Sequence, residues 1–80
     1  MRTVYLIRSI DYPDRTYTGV ASNLDERLKQ HNSRRSPHTK KYSSWKLVVA
    51  VHFDDNRKAN AFERCLKTGS GRAFAKKHFW

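Results

Sequence analysis

Apolar residues cluster in two short stretches at the start of the chain. Residues 3–9 and 15–20 are rich in β-branched and aromatic side chains, which favours two β-strands. Residues 12–14, Tyr-Pro-Asp, predict a turn between them, because proline fixes φ and aspartate favours turn positions. We therefore expect an antiparallel hairpin. A register with Tyr5 opposite Tyr17 would point both hydroxyls the same way, although the turn alone does not fix that register.

A helical period follows the hairpin. Ser22 or Asn23 is predicted to cap a helix that runs to about residue 32, and Glu26, three residues after Asn23, completes a capping-box pattern. Its apolar face holds two leucines with His31 beside them, and Arg27 lies at the edge of that face. Arg27 and His31 are four residues apart, so both can act on one object.

The middle of the chain combines a polar connection with the most apolar stretch. Residues 33–44 are polar and basic and show no periodicity. A connection of that length in a small domain is typical of a binding or mobile loop. Residues 45–53 (WKLVVAVHF) then form a near-continuous apolar run. Such a run predicts a central strand that is covered on both faces.

A second helix carries an acidic residue on its apolar side. Asp-Asp-Asn precedes a helix predicted over residues 57–68. Glu63 falls within the apolar stripe that Ala59 and Leu66 define. Because an isolated buried carboxylate is costly, Glu63 should be paired, hydrogen-bonded or bound to a metal ion. Lys67, four residues further on, is the candidate partner for a pair.

The chain ends with glycines and a third helix. Residues 69–71, Gly-Ser-Gly, predict the end of the second helix, because glycine accepts φ > 0. Residues 72–80 predict a short final helix with Phe74 and Phe79 packing inward. The pattern shows neither a repeat nor a linker, so we expect residues 1–80 to form one small domain with a single core.

Charge indicates the kind of partner. The chain holds 17 Lys and Arg against 7 Asp and Glu, a formal net charge of +10, and residues 27–46 and 64–80 contain no acid. Such basic blocks with aromatic neighbours favour nucleic acid, since cations that neutralise phosphates release counterions. A solvated surface is the plain alternative. The side chains expected to contact nucleic acid are Lys29, Arg34, Arg35, Lys40, Lys41 and Lys67.

The single cysteine and the short apolar runs indicate in which cellular compartment the protein is expected. Cys65 has no second cysteine to pair with, which fits a reducing compartment. No stretch approaches the roughly 20 apolar residues that a membrane span needs. We therefore expect a soluble, cytoplasmic protein without a membrane partner.

Two short motifs and three single residues resemble the GIY-YIG nuclease superfamily. The first motif stands here as Val4-Tyr5-Leu6 and the second as Tyr17-Thr18-Gly19. They are followed in order by Arg27, His31 and Glu63. This order and spacing, together with the ending GSGRAFAKK, resembles the small, single-domain, bacterial-type members over essentially the whole chain.

The resemblance implies a fold and an activity. The implied fold is α+β, a small three-stranded, mostly antiparallel sheet flanked by helices in the order β-β-α-β-α-α. The implied activity is cleavage of nucleic-acid phosphodiester bonds with one Mg²⁺ or Mn²⁺ ion, with DNA favoured over RNA. DNA repair or recombination would be the setting. A monomer or a weak homodimer is consistent with it.

The same resemblance assigns roles residue by residue. Glu63 would bind the metal ion, and Arg27 would hold the scissile phosphate. Tyr5 and Tyr17 would position and deprotonate the attacking water, with Tyr17 the preferred base. His31 would orient groups or relay a proton. An unperturbed tyrosine has a pKa near ~10, so it needs neighbouring cations or a metal ion to act at neutral pH.

Without the resemblance these residues have simpler explanations. Tyr5 and Tyr17 would be core aromatics with a hydrogen-bonded tip, and His31 would cover the leucines of its helix. Two other functions stay open. One is a nucleic-acid-binding module with the same fold and little or no turnover. The other is an accessory domain that binds a protein through Phe79-Trp80.

Overall fold

The fold is α+β, with its elements in the predicted order. The computed structural model describes residues 2–33, 40–42 and 44–80. Three antiparallel strands and three helices make up this part of the chain, and a single 3₁₀ turn, Lys40–Tyr42, precedes the third strand. In chain order they are β1 (Arg2–Ser9), β2 (Thr16–Ala21), α1 (Leu24–Asn32), β3 (Trp45–Phe53), α2 (Asn56–Leu66) and α3 (Gly69–His78).

The central strand of the sheet is β1, so the prediction that residues 45–53 form it is wrong. The strand order is β2-β1-β3, which places β3 at an edge. Residues 4–7 of β1 are fully buried, whereas Lys46 and Leu47 of β3 are exposed. The expectation that both faces of this strand are covered is wrong as well, because Trp45 is its only buried residue. A long apolar run does not report how many strands are hydrogen-bonded to it.

The register of the hairpin also differs from the expected one. Tyr5 pairs with Gly19, and Ile7 pairs with Tyr17, so Tyr5 does not stand opposite Tyr17. The difference is two residues. Because side chains alternate with a period of two, a shift of two keeps every side chain on its face. Tyr5 and Tyr17 therefore share one face of the sheet, as expected.

Helices cover both faces of the sheet. On one face, Val4 and Leu6 of β1 pack with Ala59 and Leu66 of α2 and with Ala75 of α3. On the other face the buried residues are Tyr5, Ile7, Ala21 and Trp45, and the leucines of α1 pack against them. The chain is thus built in three layers, with α1 on one side of the sheet and α2 and α3 on the other. None of the described helices is long and apolar enough to cross a bilayer.

The junction between α2 and α3 differs from the predicted one. Helix α2 ends at Leu66, and the hydroxyl of Thr68 caps α3 by accepting a hydrogen bond from the N–H of Gly71. Gly69 and Gly71 therefore begin a helix and do not end one. A Cβ at position 71 would collide with the backbone carbonyl of Cys65. Glycine at 71 is needed for the close approach of the two helices.

The two phenylalanines of α3 and its end have different environments. Phe79 packs against the core, as predicted. Phe74 is 45% exposed, so the expectation that it packs inward is wrong. Its ring contacts the rings of His78 and Phe79 on the surface of the helix.

Candidate active site

A buried hydrogen bond joins two of the predicted catalytic residues. The Tyr5 hydroxyl lies 2.9 Å from Nε2 of His31, and both side chains are almost fully enclosed. Helix α1 makes this contact possible by starting where the sequence predicts. The Asn23 side chain accepts a hydrogen bond from the N–H of Glu26, which sets the first turn. Two turns later His31 points into the layer between α1 and the sheet.

Tyr17 completes a cluster of three rings. Its ring centroid lies 5.1 Å from that of His31 and 6.3 Å from that of Tyr5. The Tyr5 and His31 centroids are 5.8 Å apart. Tyr17 is half-buried, whereas the other two rings are enclosed. Of the three side chains, that of Tyr17 is therefore the most accessible to solvent and to a substrate.

Gly19 shapes this cluster, and the sequence reasoning assigned it no such role. A Cβ on Gly19 would stand 2.5 Å from the Tyr5 hydroxyl oxygen and 3.0 Å from a ring carbon of Tyr17. The ring of Tyr5 thus lies across the neighbouring strand β2, over the position where any other residue carries a side chain. The signal was present in the second motif, whose glycine stands opposite Tyr5 once the register is known.

Arg27 and Glu63 both act electrostatically on the Tyr5 hydroxyl. Burial raises the pKa of Tyr5 above its ordinary value, and the neighbouring Tyr17 adds to that rise. The Arg27 guanidinium lowers the pKa of Tyr5, and the Glu63 carboxylate raises it. One charge on α1 and one on α2 therefore act on the same hydroxyl of β1, with opposite signs. Tyr5 is a neutral phenol in this environment.

His31 is held in its neutral form by the same surroundings. Burial lowers the pKa of His31 below its ordinary value, and the Arg27 guanidinium lowers it further. Arg27 itself is exposed. A neutral imidazole can accept a proton at one nitrogen and donate at the other, so His31 suits an orienting or relaying role next to Tyr5.

Glu63 has a partner, as one of the sequence alternatives predicted. Its carboxylate forms an ion pair with Nζ of Lys67 at 2.5 Å, and its side chain is 15% exposed. Among the described residues, no group of three His, Cys, Asp or Glu side chains could hold a metal ion. A metal ion at Glu63 would therefore have at most two such ligands from the described residues. Mg²⁺ accepts such a site, because it keeps several of its waters and often binds through one or two carboxylates and substrate phosphates.

A basic cleft opens beside Tyr17, and most of its cations were not predicted. It has a volume of about 510 Å³. Lys67 lines it, as do Arg72, Lys76 and Trp80. Arg72 and Lys76 are four residues apart on α3, a spacing that places both on one face of a helix. That spacing is the signal in the sequence that could have indicated them.

The other predicted nucleic-acid contacts are dispersed. Lys29 is exposed on α1, and Lys41 is exposed with its Nζ 5.7 Å from the centroid of the Tyr42 ring. Neither lines the basic cleft. Lys40 begins the 3₁₀ turn. Arg34 and Arg35 lie outside the described residues.

Comparison with known proteins confirms the resemblance. Residues 1–77 match the family model of the GIY-YIG catalytic domain. A relative is the structure-specific endonuclease subunit SLX1 of Candida dubliniensis, which is 39% identical over 71 residues. That match covers 80% of this chain but only 25% of the fungal protein, so the chain spans about a quarter of its relative. Because the family model extends over nearly the entire sequence, the chain belongs to the GIY-YIG family.

Proposed function

We propose that this domain is a divalent-metal-dependent endonuclease that hydrolyses phosphodiester bonds in nucleic acid, with DNA as the preferred substrate. The observation that carries the proposal is the convergence at Tyr5. The Tyr5 hydroxyl contacts His31, and the Tyr5 ring lies in one cluster with the ring of Tyr17. The charges of Arg27 and Glu63 both shift the pKa of Tyr5. Family membership and a relative named as a structure-specific endonuclease subunit support the same activity, which would serve DNA repair or recombination.

Tyr17 is the group best placed to take a proton from the attacking water. It is half-buried and lines the basic cleft, so a substrate can reach it. Tyr5 is fully buried, and its raised pKa keeps the phenol protonated. Tyr5 therefore positions groups through its hydrogen bond with His31. General base catalysis requires that the base reach the proton it removes, which favours Tyr17 over Tyr5.

Arg27 would hold the scissile phosphate. The guanidinium is exposed, yet close enough to influence both Tyr5 and His31. A guanidinium is a planar fork that can bind two phosphate oxygens at once. The charge that develops on the phosphoryl oxygens during attack would be stabilised by it.

Glu63 would hold the metal ion, Mg²⁺ or Mn²⁺, with water at the remaining positions. When bound, the ion supplies Lewis-acid polarisation of a phosphoryl oxygen. The ion pair with Lys67 neutralises the carboxylate of this otherwise apolar stripe of α2. A divalent cation would replace one ammonium contact of Glu63 and leave Lys67 available to a phosphate.

Cleavage assays with several substrates test the proposal directly. Supercoiled plasmid, branched DNA and RNA are incubated with the protein in Mg²⁺, in Mn²⁺ and in EDTA. The proposal predicts nicking or cutting of DNA that EDTA abolishes. Absence of cleavage of all three substrates in both metals would contradict it.

The ion pair between Glu63 and Lys67 also favours a second candidate function, a nucleic-acid-binding module without turnover. In that case the ion pair between Lys67 and the Glu63 carboxylate would persist, and no metal ion would bind. Binding of nucleic acid would then be sensitive to salt and indifferent to Mg²⁺ and Mn²⁺. The same substrates, followed by filter binding in parallel with cleavage, distinguish the two functions.

A further inference from the structure

The basic cleft between β2 and α3 has the chemistry of a nucleotide site. Three cations line it, Lys67, Arg72 and Lys76, and none of the described residues that line it is acidic. The only acid bonded to one of these cations within the described residues is Glu63, at Lys67. Arg72 and Lys76 therefore present positive charge that the described residues do not neutralise by ion pairing. Phosphate groups are the natural counterpart of such a surface.

An aromatic ring stands in the same cleft. Trp80 lines it and is half-buried against the core. The Arg8 guanidinium carbon lies 5.4 Å from the centre of the Trp80 ring, and Arg8 also donates a long hydrogen bond to the Trp80 carbonyl oxygen. These contacts hold the indole in place, and a base that stacked on that face of the ring would take the place of Arg8. Nucleic-acid proteins combine a basic groove for the backbone with aromatic rings on which unpaired bases stack.

The cleft has room for a nucleotide. Its volume of about 510 Å³ lies in the range of small-molecule pockets. Tyr17, the candidate general base, is one of the residues that line the cleft, so the cleft borders the candidate active site. Thr16 and Thr18 add hydroxyl groups that can bond to phosphate or sugar oxygens.

We propose that this cleft binds an unpaired nucleotide next to the scissile phosphate, with Arg72 and Lys76 on the phosphates and the base stacked on Trp80. This rests on the proposed nuclease function and specifies its substrate as a strand that is single-stranded on one side of the cut. Lys67 would also contact a phosphate when its ion pair with Glu63 is broken.

Tryptophan fluorescence offers a direct test, because the two tryptophans differ in location. Trp45 is 5% exposed in the core, and Trp80 lines the cleft. Oligodeoxythymidylate and oligouridylate of four nucleotides are titrated into the protein in EDTA, where no metal-dependent cleavage occurs. We expect saturable quenching that the Trp80→Phe variant largely loses. Quenching that persists unchanged in this variant would overturn the proposal.

Two further arms separate stacking from charge. An abasic oligonucleotide of the same length should bind, by anisotropy, but quench little, and a blunt duplex should also quench little. Arg72→Gln and Lys76→Gln should each weaken binding at least about threefold and reduce the salt dependence by roughly one phosphate contact. Lys58→Gln removes an equal charge from an exposed lysine outside the cleft and should leave binding unchanged. Equal effects of the three substitutions would overturn the proposal.

These measurements are independent of the nuclease assay. Quenching that depends on Trp80 in a protein that cuts nothing would support the nucleotide site and refute the endonuclease. Metal-dependent cleavage by a protein whose Trp80→Phe and Arg72→Gln variants bind like the wild type would do the reverse.

Discussion

The Tyr5 hydroxyl and Nε2 of His31 share a hydrogen bond of 2.9 Å in the layer between β1 and α1. The two side chains are 0% and 1% exposed, so this bond belongs to the core as much as to the candidate active site. Burial favours the neutral form of each group, which the opposite pKa shifts reflect. Substitutions at these positions should therefore change stability and activity together, whereas substitutions at Tyr17 and Arg27 should separate them.

Removing one hydroxyl at a time should show that separation. Tyr5→Phe takes a hydrogen-bond partner from buried His31 and should cost about 1–3 kcal/mol of stability. Tyr17→Phe alters a half-buried ring and should stay within about 1 kcal/mol of the wild type. If Tyr17 is the general base, its variant should nevertheless lose about a hundredfold or more in cleavage rate. Urea denaturation and initial rates measure the two effects; a fully active Tyr17→Phe would refute the assignment.

Gly19 should tolerate no side chain. In Gly19→Ala the new methyl group would stand 2.5 Å from the Tyr5 hydroxyl oxygen, so the ring must move. We expect a loss of about 1–3 kcal/mol in stability together with a loss of cleavage. Gly69→Ala is the matched control, because a Cβ there meets nothing within 4 Å. That variant should be at least as stable as the wild type and retain activity. Similar thermal midpoints for the two variants would contradict this view of Gly19.

Protonation of His31 should destabilise the fold. Its pKa is lowered in the folded state by burial and then by Arg27, so below about pH 6.5 the unfolded chain binds more protons than the folded one. The contribution of His31 to stability is thus complete above that pH and is lost as the pH falls towards the folded-state pKa. Denaturation midpoints at about pH 7.5 and 5 should differ more for the wild type than for His31→Gln. Substituting His78, which is exposed, should leave the wild-type dependence in place. An unchanged pH dependence in His31→Gln would rule out this source.

Arg27 should matter for chemistry and little for stability. Because the side chain is exposed, Arg27→Ala should unfold within about 0.5 kcal/mol of the wild type. Its cleavage rate should fall by about a hundredfold or more, because the variant lacks the positive charge that would contact the scissile phosphate. Arg27→Lys should recover only part of this, because an ammonium lacks the bidentate fork. Lys29→Ala, two residues further along and on a different side of α1, should have a smaller effect. Equal losses at the two positions would argue for a general charge effect.

Local signals in the sequence predicted most elements of the fold. The capping pattern offered Ser22 or Asn23 as the N-cap of α1, and the cap is Asn23. The stretches rich in β-branched and aromatic residues predicted the bounds of β1 and β2 to within one residue. Such local signals did not predict the strand order, because the order depends on which strand edges pair in three dimensions. The apolar run of β3 predicted a covered, central strand, and nothing in that run shows that β1 is the strand with two neighbours.

For the candidate site, too, some features could be predicted from the sequence and others could not. Family motifs located the five candidate catalytic residues, and the structure joins Tyr5, Tyr17 and His31 in one ring cluster. The role of Gly19 could not be predicted, because it depends on a hairpin register that the turn leaves open. The cleft was missed because it forms where α3 meets β2 in three dimensions; the sequence showed only the spacing of Arg72 and Lys76 on one helix.

Cleavage by Glu63→Gln tests the central claim most directly. This change removes the carboxylate charge while keeping the shape of the side chain. Initial rates on a branched DNA in Mg²⁺ or Mn²⁺ are compared with those of the wild type and of Asp25→Asn, which removes an exposed carboxylate from the first turn of α1. The account predicts that Glu63→Gln remains folded and binds DNA in EDTA but cuts at least about a hundredfold more slowly, while Asp25→Asn cuts normally. Metal-dependent cutting by Glu63→Gln at the wild-type rate would contradict it.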